Sequence, residues 1–324
     1  MEKRIFDSIE SKNLPTKKII MFRITNWAAI VFLLLVFACN SSKKAVVNQS
    51  LIQNNTTTKK VFLFAGQSNM EGRADADKIP LEDVERLEAV KHRIQFYYNS
   101  EPVSPLKVTT GSTYVQKKFS LTNVFGPELF FGIELAEAYP NEEFIFIKRS
   151  KGGTSLYGAW NPNWTEEKAA LTNELKIPKL YSEFISLSRS VLDSMPKNAY
   201  EICGMLWVQG EADTNTKRGL QPSESYGDNL TTLIHSVREE FELPEMPFLL
   251  FQVGGGKVVE GMLKVAENDT YVGMIPQSSD KKSKDYYPKN PSPLGHYVTN
   301  SMKRIGTEFF SLYQELYVNE YLTK

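Results

Sequence analysis

The sequence predicts an α/β fold, a three-layer α/β/α sandwich around a central parallel sheet of about five strands. Short apolar runs bounded by charged residues or glycine recur along the chain, as in strands that a parallel sheet buries on both faces. Longer stretches with apolar residues at helical spacing separate them. Neither an internal repeat nor a second Pro-, Gly- or Ser-rich linker interrupts this alternation after residue 61, so 61–324 reads as one domain.

The strand candidates in order are 61–65, 94–98, 144–148, 202–208 and 248–253, with a weaker pattern at 271–274. Pro127 after Gly126 suits a helix start, and Leu129, Phe130, Ile133 and Ala136 then share one face as far as Tyr139, where Pro140 stops the helix. Residues 165–195 read as helical with a break at Pro178. In 223–241, Leu230, Leu233, Ile234, Val237 and Phe241 recur at helical spacing, as do Val298, Met302, Ile305, Phe309, Leu312 and Leu316 in a closing helix.

The chain has 324 residues, 41% hydrophobic and 23% charged, with formal net charge +0, which permits one large core and gives no basic field for nucleic acid. Residues 1–39 differ from the rest. Lys17, Lys18 and Arg23 precede an apolar run, 28–38, that is short for a bilayer span and fits the core of a signal peptide. Val36-Phe37-Ala38-Cys39 resembles a bacterial lipoprotein processing site, with Cys39 as the lipidated residue and Met21 as a possible true start. An ordinary signal peptide or an uncleaved anchor is the other reading of this segment, and each exports the protein; the lipoprotein reading places it in the periplasm or at the outer membrane, with membrane contact only through the lipid. Residues 40–60, polar and poor in apolar side chains, read as a flexible tether. Cys203 reads as a buried strand residue, leaving no disulfide framework or cysteine metal site.

Four segments carry groups suited to serine chemistry. Gly66-Gln67-Ser68-Asn69-Met70 follows the first strand, at the carboxyl end where ligand sites of open α/β sheets lie. Lys151-Gly152-Gly153-Thr154-Ser155-Leu156 follows the 144–148 strand, and its glycines suit an oxyanion hole. In Trp207-Val208-Gln209-Gly210-Glu211-Ala212-Asp213, Gln209 offers an uncharged amide N–H, and Glu211 or Asp213 offers a carboxylate to orient an imidazole. Of three histidines, His92 lies in a charged stretch and His235 off the apolar stripe of its helix. His296, at the mouth of the last helix, is the candidate base.

Together these segments resemble the SGNH hydrolases, and within them the sialate O-acetylesterase-like group and carbohydrate esterase family six, which includes acetylxylan esterase-like enzymes. The similarity runs from about Val61 to Phe310. It implies a flavodoxin-like fold, Ser68 as nucleophile, His296 as base, and an oxyanion hole of the Ser68 and Gly153 N–H groups with the Gln209 side chain. It implies hydrolysis of acetyl esters on carbohydrate hydroxyls, with neither metal nor organic cofactor. Asn69, Trp160 and Trp164 complete the candidate substrate-binding set. Their other reading is structural, Asn69 bracing the nucleophile turn and the tryptophans packing a surface loop.

One departure stands out. The family's last block reads Asp-x-x-His, and Pro293 occupies the aspartate's place before His296. Glu211 is the first candidate for the missing acid, followed by Asp213, Asp280 and Asp285, or a backbone carbonyl serves alone. A rival register sets Tyr287-Pro288-Lys289-Asn290 against a His-Pro-x-Asn form of the block, with tyrosine where the base belongs. Two other functions stay open on this sequence: a catalytically impaired carbohydrate-binding protein, and a lipase-like or thioesterase activity on the same fold.

Overall fold

Residues 58–321 are described by a computed structural model; the expected leader 1–39, with Cys39, and most of the tether lie outside them. The tether's expected end at 60 is corrected, because Lys59 and Lys60 already pair in the first strand.

Among the described residues seven strands form the central sheet: β1 (Lys59–Gly66), β2 (Ile94–Tyr98), β3 (Ser104–Pro105), β4 (Phe144–Ser150), β5 (Tyr200–Val208), β6 (Phe248–Phe251) and β7 (Val272–Ile275). Their order is β7-β6-β5-β1-β4-β2-β3, parallel throughout except for the short β2–β3 pair at one edge. The expected strands are all present, the weaker 271–274 pattern included, so the parallel part has six strands where about five were expected. β1 lies inside the sheet between β4 and β5, and Val61 to Gly66 are buried, which is why that run lacks polar alternation.

The helices are α1 (Ser68–Glu71), α2 (Leu81–Val90), α3 (Thr113–Phe119), α4 (Glu128–Ala138), α5 (Glu166–Leu171), α6 (Leu180–Leu192), α7 (Gln221–Glu224), α8 (Tyr226–Phe241), α9 (Lys257–Asn268) and α10 (Thr299–Tyr321). The break at Pro178 separates α5 from α6. Phe62, Phe131, Phe146 and Tyr313 join β1, α4, β4 and α10 through edge-on and tilted ring contacts of 4.9 to 6.4 Å. Beside the main sheet, strands Ala74–Asp75, Thr109–Thr110 and Asn123–Phe125 form a small antiparallel sheet. Tyr114, Lys118 and Phe119 of α3 line one side of the site. No helix among the described residues is long and apolar enough to cross a membrane.

Candidate active site

The nucleophile turn depends on Gly66. A Cβ there would fall 2.2 Å from the Val208 carbonyl oxygen, and its φ of +150° disfavours side chains, so only glycine lets the ends of β1 and β5 close on each other. The Gln67 N–H then donates to the Val208 carbonyl at 3.0 Å, and Ser68 opens α1. Gln67, Ser68 and Asn69 are all buried.

The glycine block arrives from β4. The Lys151 N–H donates to the Gly66 carbonyl at 3.2 Å, which ties the block to the nucleophile turn. A Cβ on Gly152 would meet the Ser68 Cβ at 3.4 Å, so the two segments touch. Of the paired glycine amides, that of Gly152 donates to Glu71 Oε2, whereas that of Gly153 has no acceptor among the described residues. Gly153 takes a left-handed φ of +77° and faces open space.

Two enclosed carboxylates splint the loop that follows. Asp213 accepts from the Leu156 and Tyr157 amides at 2.9 and 3.0 Å and from Gln209 Nε2 at 2.6 Å. Burial pushes its carboxyl up to about 7 against the pull of those donors. Glu174 accepts from the Ser155 amide and hydroxyl, both at 2.7 Å, and from the Ala159 amide and Thr172 hydroxyl, both at 2.9 Å.

This packing corrects two expectations. Trp160 is fully buried, its indole N–H donating to Thr154 Oγ1 at 3.0 Å and its ring edge-on to Trp207, so it cannot stack on a sugar. Gln209 is also fully buried, and its amide N–H groups face Asp213 Oδ2, Thr154 O at 3.0 Å and Gln67 Oε1 at 3.3 Å. With both hydrogens drawn to protein acceptors, it braces the loops and has none free for an oxyanion. Trp164 is partly buried under Lys179, whose Nζ lies 4.0 Å from the ring centroid, and does not line the cavity described below.

Ser68, Gly152, Gly153 and His296 line one cavity of about 510 Å³. A closed loop delivers His296. The backbone and side-chain amides of Asn290 donate to the His296 carbonyl at 2.7 and 3.2 Å, and the Val298 N–H donates to Pro288 O at 3.2 Å. Phe119 of α3 meets the imidazole edge-on at 5.7 Å. Burial, with Arg73 next, pulls His296 down to about 4, while the Leu294 carbonyl and Glu71 act in the opposite direction. Nδ1 is buried without a hydrogen-bond partner. No hydrogen bond joins Ser68 and His296.

None of the expected acids reaches His296. Glu211 accepts from Asn69 Nδ2 at 2.7 Å, and burial raises its carboxyl. The residue keeps some accessible surface, yet Oε2 is enclosed and unpartnered, so the carboxyl group itself counts as buried. Asn69 therefore braces the nucleophile turn. Asp213 is saturated by its loop, Asp280 is exposed and accepts from the Lys282 amide, and Asp285 is held in the same turn through its own amide. The rival register fails too: Tyr287 is buried and donates to Glu308, outside the cavity. His92 and His235 are exposed and also outside it.

Glu71, Arg73, Lys118 and Lys151 line the cavity as well and were not singled out by sequence reasoning. Glu71 and Arg73 lie three and five residues after Ser68, a proximity that was the one available signal. Among the described residues no group of three His, Cys, Asp or Glu side chains could hold a metal ion.

The profile of the carbohydrate esterase, sialic acid-specific acetylesterase family matches residues 58–315. A probable carbohydrate esterase of Arabidopsis thaliana is 36% identical over 56 residues, which is 17% of this chain and 20% of that relative's length. Among solved structures, NanS superposes with a TM-score of 0.56 at 16% identity, over 81% of this chain and 98% of that one. A protein from Arabidopsis thaliana gives 0.55 at 20% identity, over 80% and 98%. A carbohydrate acetylesterase from Xanthomonas citri gives 0.52 at 18%, over 80% and 56%. At such identities these structures speak for the shared fold, and the profile, which spans most of the chain and all four blocks of the site, places this protein in the carbohydrate esterase, sialic acid-specific acetylesterase family.

Proposed function

We propose that the protein removes O-acetyl groups from carbohydrates, acetylated sialic acid, xylan or related glycans, through an acyl-enzyme on Ser68. The observation that carries this reading is the single cavity lined by Ser68, Gly153 and His296, delivered by three separate chain segments. Ser68 Oγ attacks the acetyl carbonyl and its proton passes to His296, whose Nε2 is the ring nitrogen left for the cavity once Nδ1 is buried. The oxyanion of the tetrahedral intermediate takes the Ser68 and Gly153 N–H groups, donors of a type worth about 3 kcal/mol each. The intermediate collapses, the sugar oxygen leaves with the proton from His296, and water repeats the sequence to release acetate and regenerate Ser68. In the same reading the chain is exported and held to the membrane by lipid on Cys39.

Release of acetate from an aryl acetate tests the chemistry, with Ser68→Ala as the blank. A rate for wild type at least 10³-fold above the blank is expected, and equal rates remove the esterase reading. Acetylated sialic acid and acetylated xylan, compared by kcat/KM, then choose the carrier. A second reading, a carbohydrate-binding protein with impaired chemistry, is favoured by two observations: Pro293 replaces the acid, and His296 Nδ1 is unpartnered. Sugar binding by both proteins, without turnover by either, would select it.

A further inference from the structure

Glu71 belongs to none of the groups that serine chemistry led us to expect, yet its carboxylate meets two parts of the site. Oε2 accepts the N–H of Gly152 and lies 2.9 Å from Arg73 Nη2, while Arg73 Nη1 donates to the Gly72 carbonyl at 2.7 Å. Gly152 is closely approached: a Cβ there would fall 2.9 Å from both Glu71 Oε2 and Arg73 Nη2 and 3.4 Å from Ser68 Cβ. By taking the Gly152 amide, Glu71 fixes the orientation of the block in which the Gly153 amide stays unclaimed.

The same carboxylate has an electrostatic position that no other shares. Of the side chains lining the cavity, Arg73, Lys118 and Lys151 are cationic and Glu71 alone is anionic. Lys289, from the loop of His296, adds a further positive influence on the ring, and Glu71 and the Leu294 carbonyl are the groups that oppose it. Phe119, from α3, contributes no charge. When the proton of Ser68 reaches His296 an imidazolium forms in this cationic surrounding, without the aspartate that would ordinarily balance it.

We propose that Glu71 is a positioning residue of the esterase, whose carboxylate fixes the Gly152–Gly153 turn against Ser68 and supplies the counter-charge for His296 that Pro293 cannot. The inference rests on the Ser68–His296 reading above.

Two substitutions separate the roles. Glu71→Gln keeps an amide oxygen for the Gly152 N–H and removes the charge; Glu71→Ala removes both. Three measurements apply: kcat and KM on an aryl acetate across pH, the melting temperature, and NMR titration of the His296 ring, assigned by its loss in His296→Asn. In Glu71→Gln the ring titrates at lower pH than in wild type and kcat falls about tenfold with KM within twofold, since a neighbouring carboxylate favours the charged imidazole. In Glu71→Ala kcat falls by a further factor of about 10² as the oxyanion donor loses its support. The titration needs no turnover, so it reports even if the alanine variant folds poorly. An active wild type with Glu71→Gln unchanged in both ring titration and kcat overturns the Glu71 inference alone. A wild type no faster than Ser68→Ala overturns the esterase reading and any role of Glu71 in turnover.

Discussion

The side-chain amide of Asn69 donates to Glu211 Oε1 at 2.7 Å, a bond between the nucleophile turn and the end of β5 that commits the carboxylate expected to orient His296. Glu211 therefore supports Ser68 from behind. Glu211→Gln keeps an oxygen for Asn69, so kcat/KM on an aryl acetate is expected to stay within about tenfold of wild type. A loss near 10⁴, the size that follows removal of an orienting acid, would return Glu211 to that role. Glu211→Ala, which leaves the buried Asn69 amide unpaired, lowers stability by about 1–3 kcal/mol in denaturant melts.

Trp160 gives a sharp contrast between binding and packing roles. Its ring is fully buried against Trp207 and its N–H is satisfied by Thr154. Trp160→Ala is expected to destabilise by about 3–5 kcal/mol. Trp160→Phe keeps most of the apolar contact and loses the hydrogen bond, a cost of about 1 kcal/mol, with KM for an acetylated sugar close to wild type. A several-fold rise in KM without loss of stability would restore Trp160 to the substrate-binding set.

The pH dependence follows from His296, drawn to about 4 from the ordinary 6.5. Neutral imidazole is the form that accepts the Ser68 proton, so kcat/KM is expected to rise through an apparent pKa near 4 and to be level from about pH 5 to 7. An acid limb centred near 6.5 would show the ring to be unperturbed. The linked stability has the same direction: between 4 and 6.5 the unfolded chain binds more protons at this site, so its contribution is present above 6.5 and is lost as pH falls toward 4. Asp213 works against it, because a carboxyl raised from 3.8 to about 7 makes the folded state the better proton binder, and its contribution fades as pH rises through that range. Melting temperatures of wild type and His296→Asn compared over pH 4 to 7 isolate the histidine.

The strands were legible because a buried parallel strand leaves a continuous apolar run, as at 61–65 and 144–148, and α10 because its apolar positions keep helical spacing over many turns. The cavity's main parts were legible for a similar reason: Ser68, Gly153 and His296 sit at breaks in regular structure, where turn chemistry and strand ends mark a site. What failed concerns side-chain partners across long sequence separations. Nothing local in Gln209 or Glu211 tells whether the group faces a cavity or a buried acceptor from another loop, and the bonds that decide it span 55 and 142 residues. Trp160 failed similarly, since an aromatic loop residue looks alike in sequence whether it faces solvent or Trp207. The small sheet with α3 was missed because strands of two or three residues are too short to carry a period.

The ion pair between Lys148 and Glu128 lies just under the nucleophile turn, and its response to mutation can be stated in advance. Both side chains are almost wholly buried, Lys148 Nζ is 2.6 Å from Glu128 Oε1, and it reaches the Glu71 carbonyl at 3.4 Å. Burial is the largest influence on Lys148 and lowers its pKa, while Glu128 favours the charged form. Desolvating two charges offsets much of their attraction, so the pair as a whole adds little, but either charge alone is costly. Lys148→Met is accordingly expected to lose about 3–5 kcal/mol in denaturant melts, because Glu128, whose Oε2 already lacks a partner, is left without its cation. The double variant Lys148→Met/Glu128→Leu should recover most of that loss. Activity discriminates further: the Glu71 carbonyl loses its ammonium in both variants, so kcat should stay reduced in the double variant after stability has returned. If stability and kcat recover together, Lys148 acts on the fold alone and has no separate hold on the turn that carries Ser68.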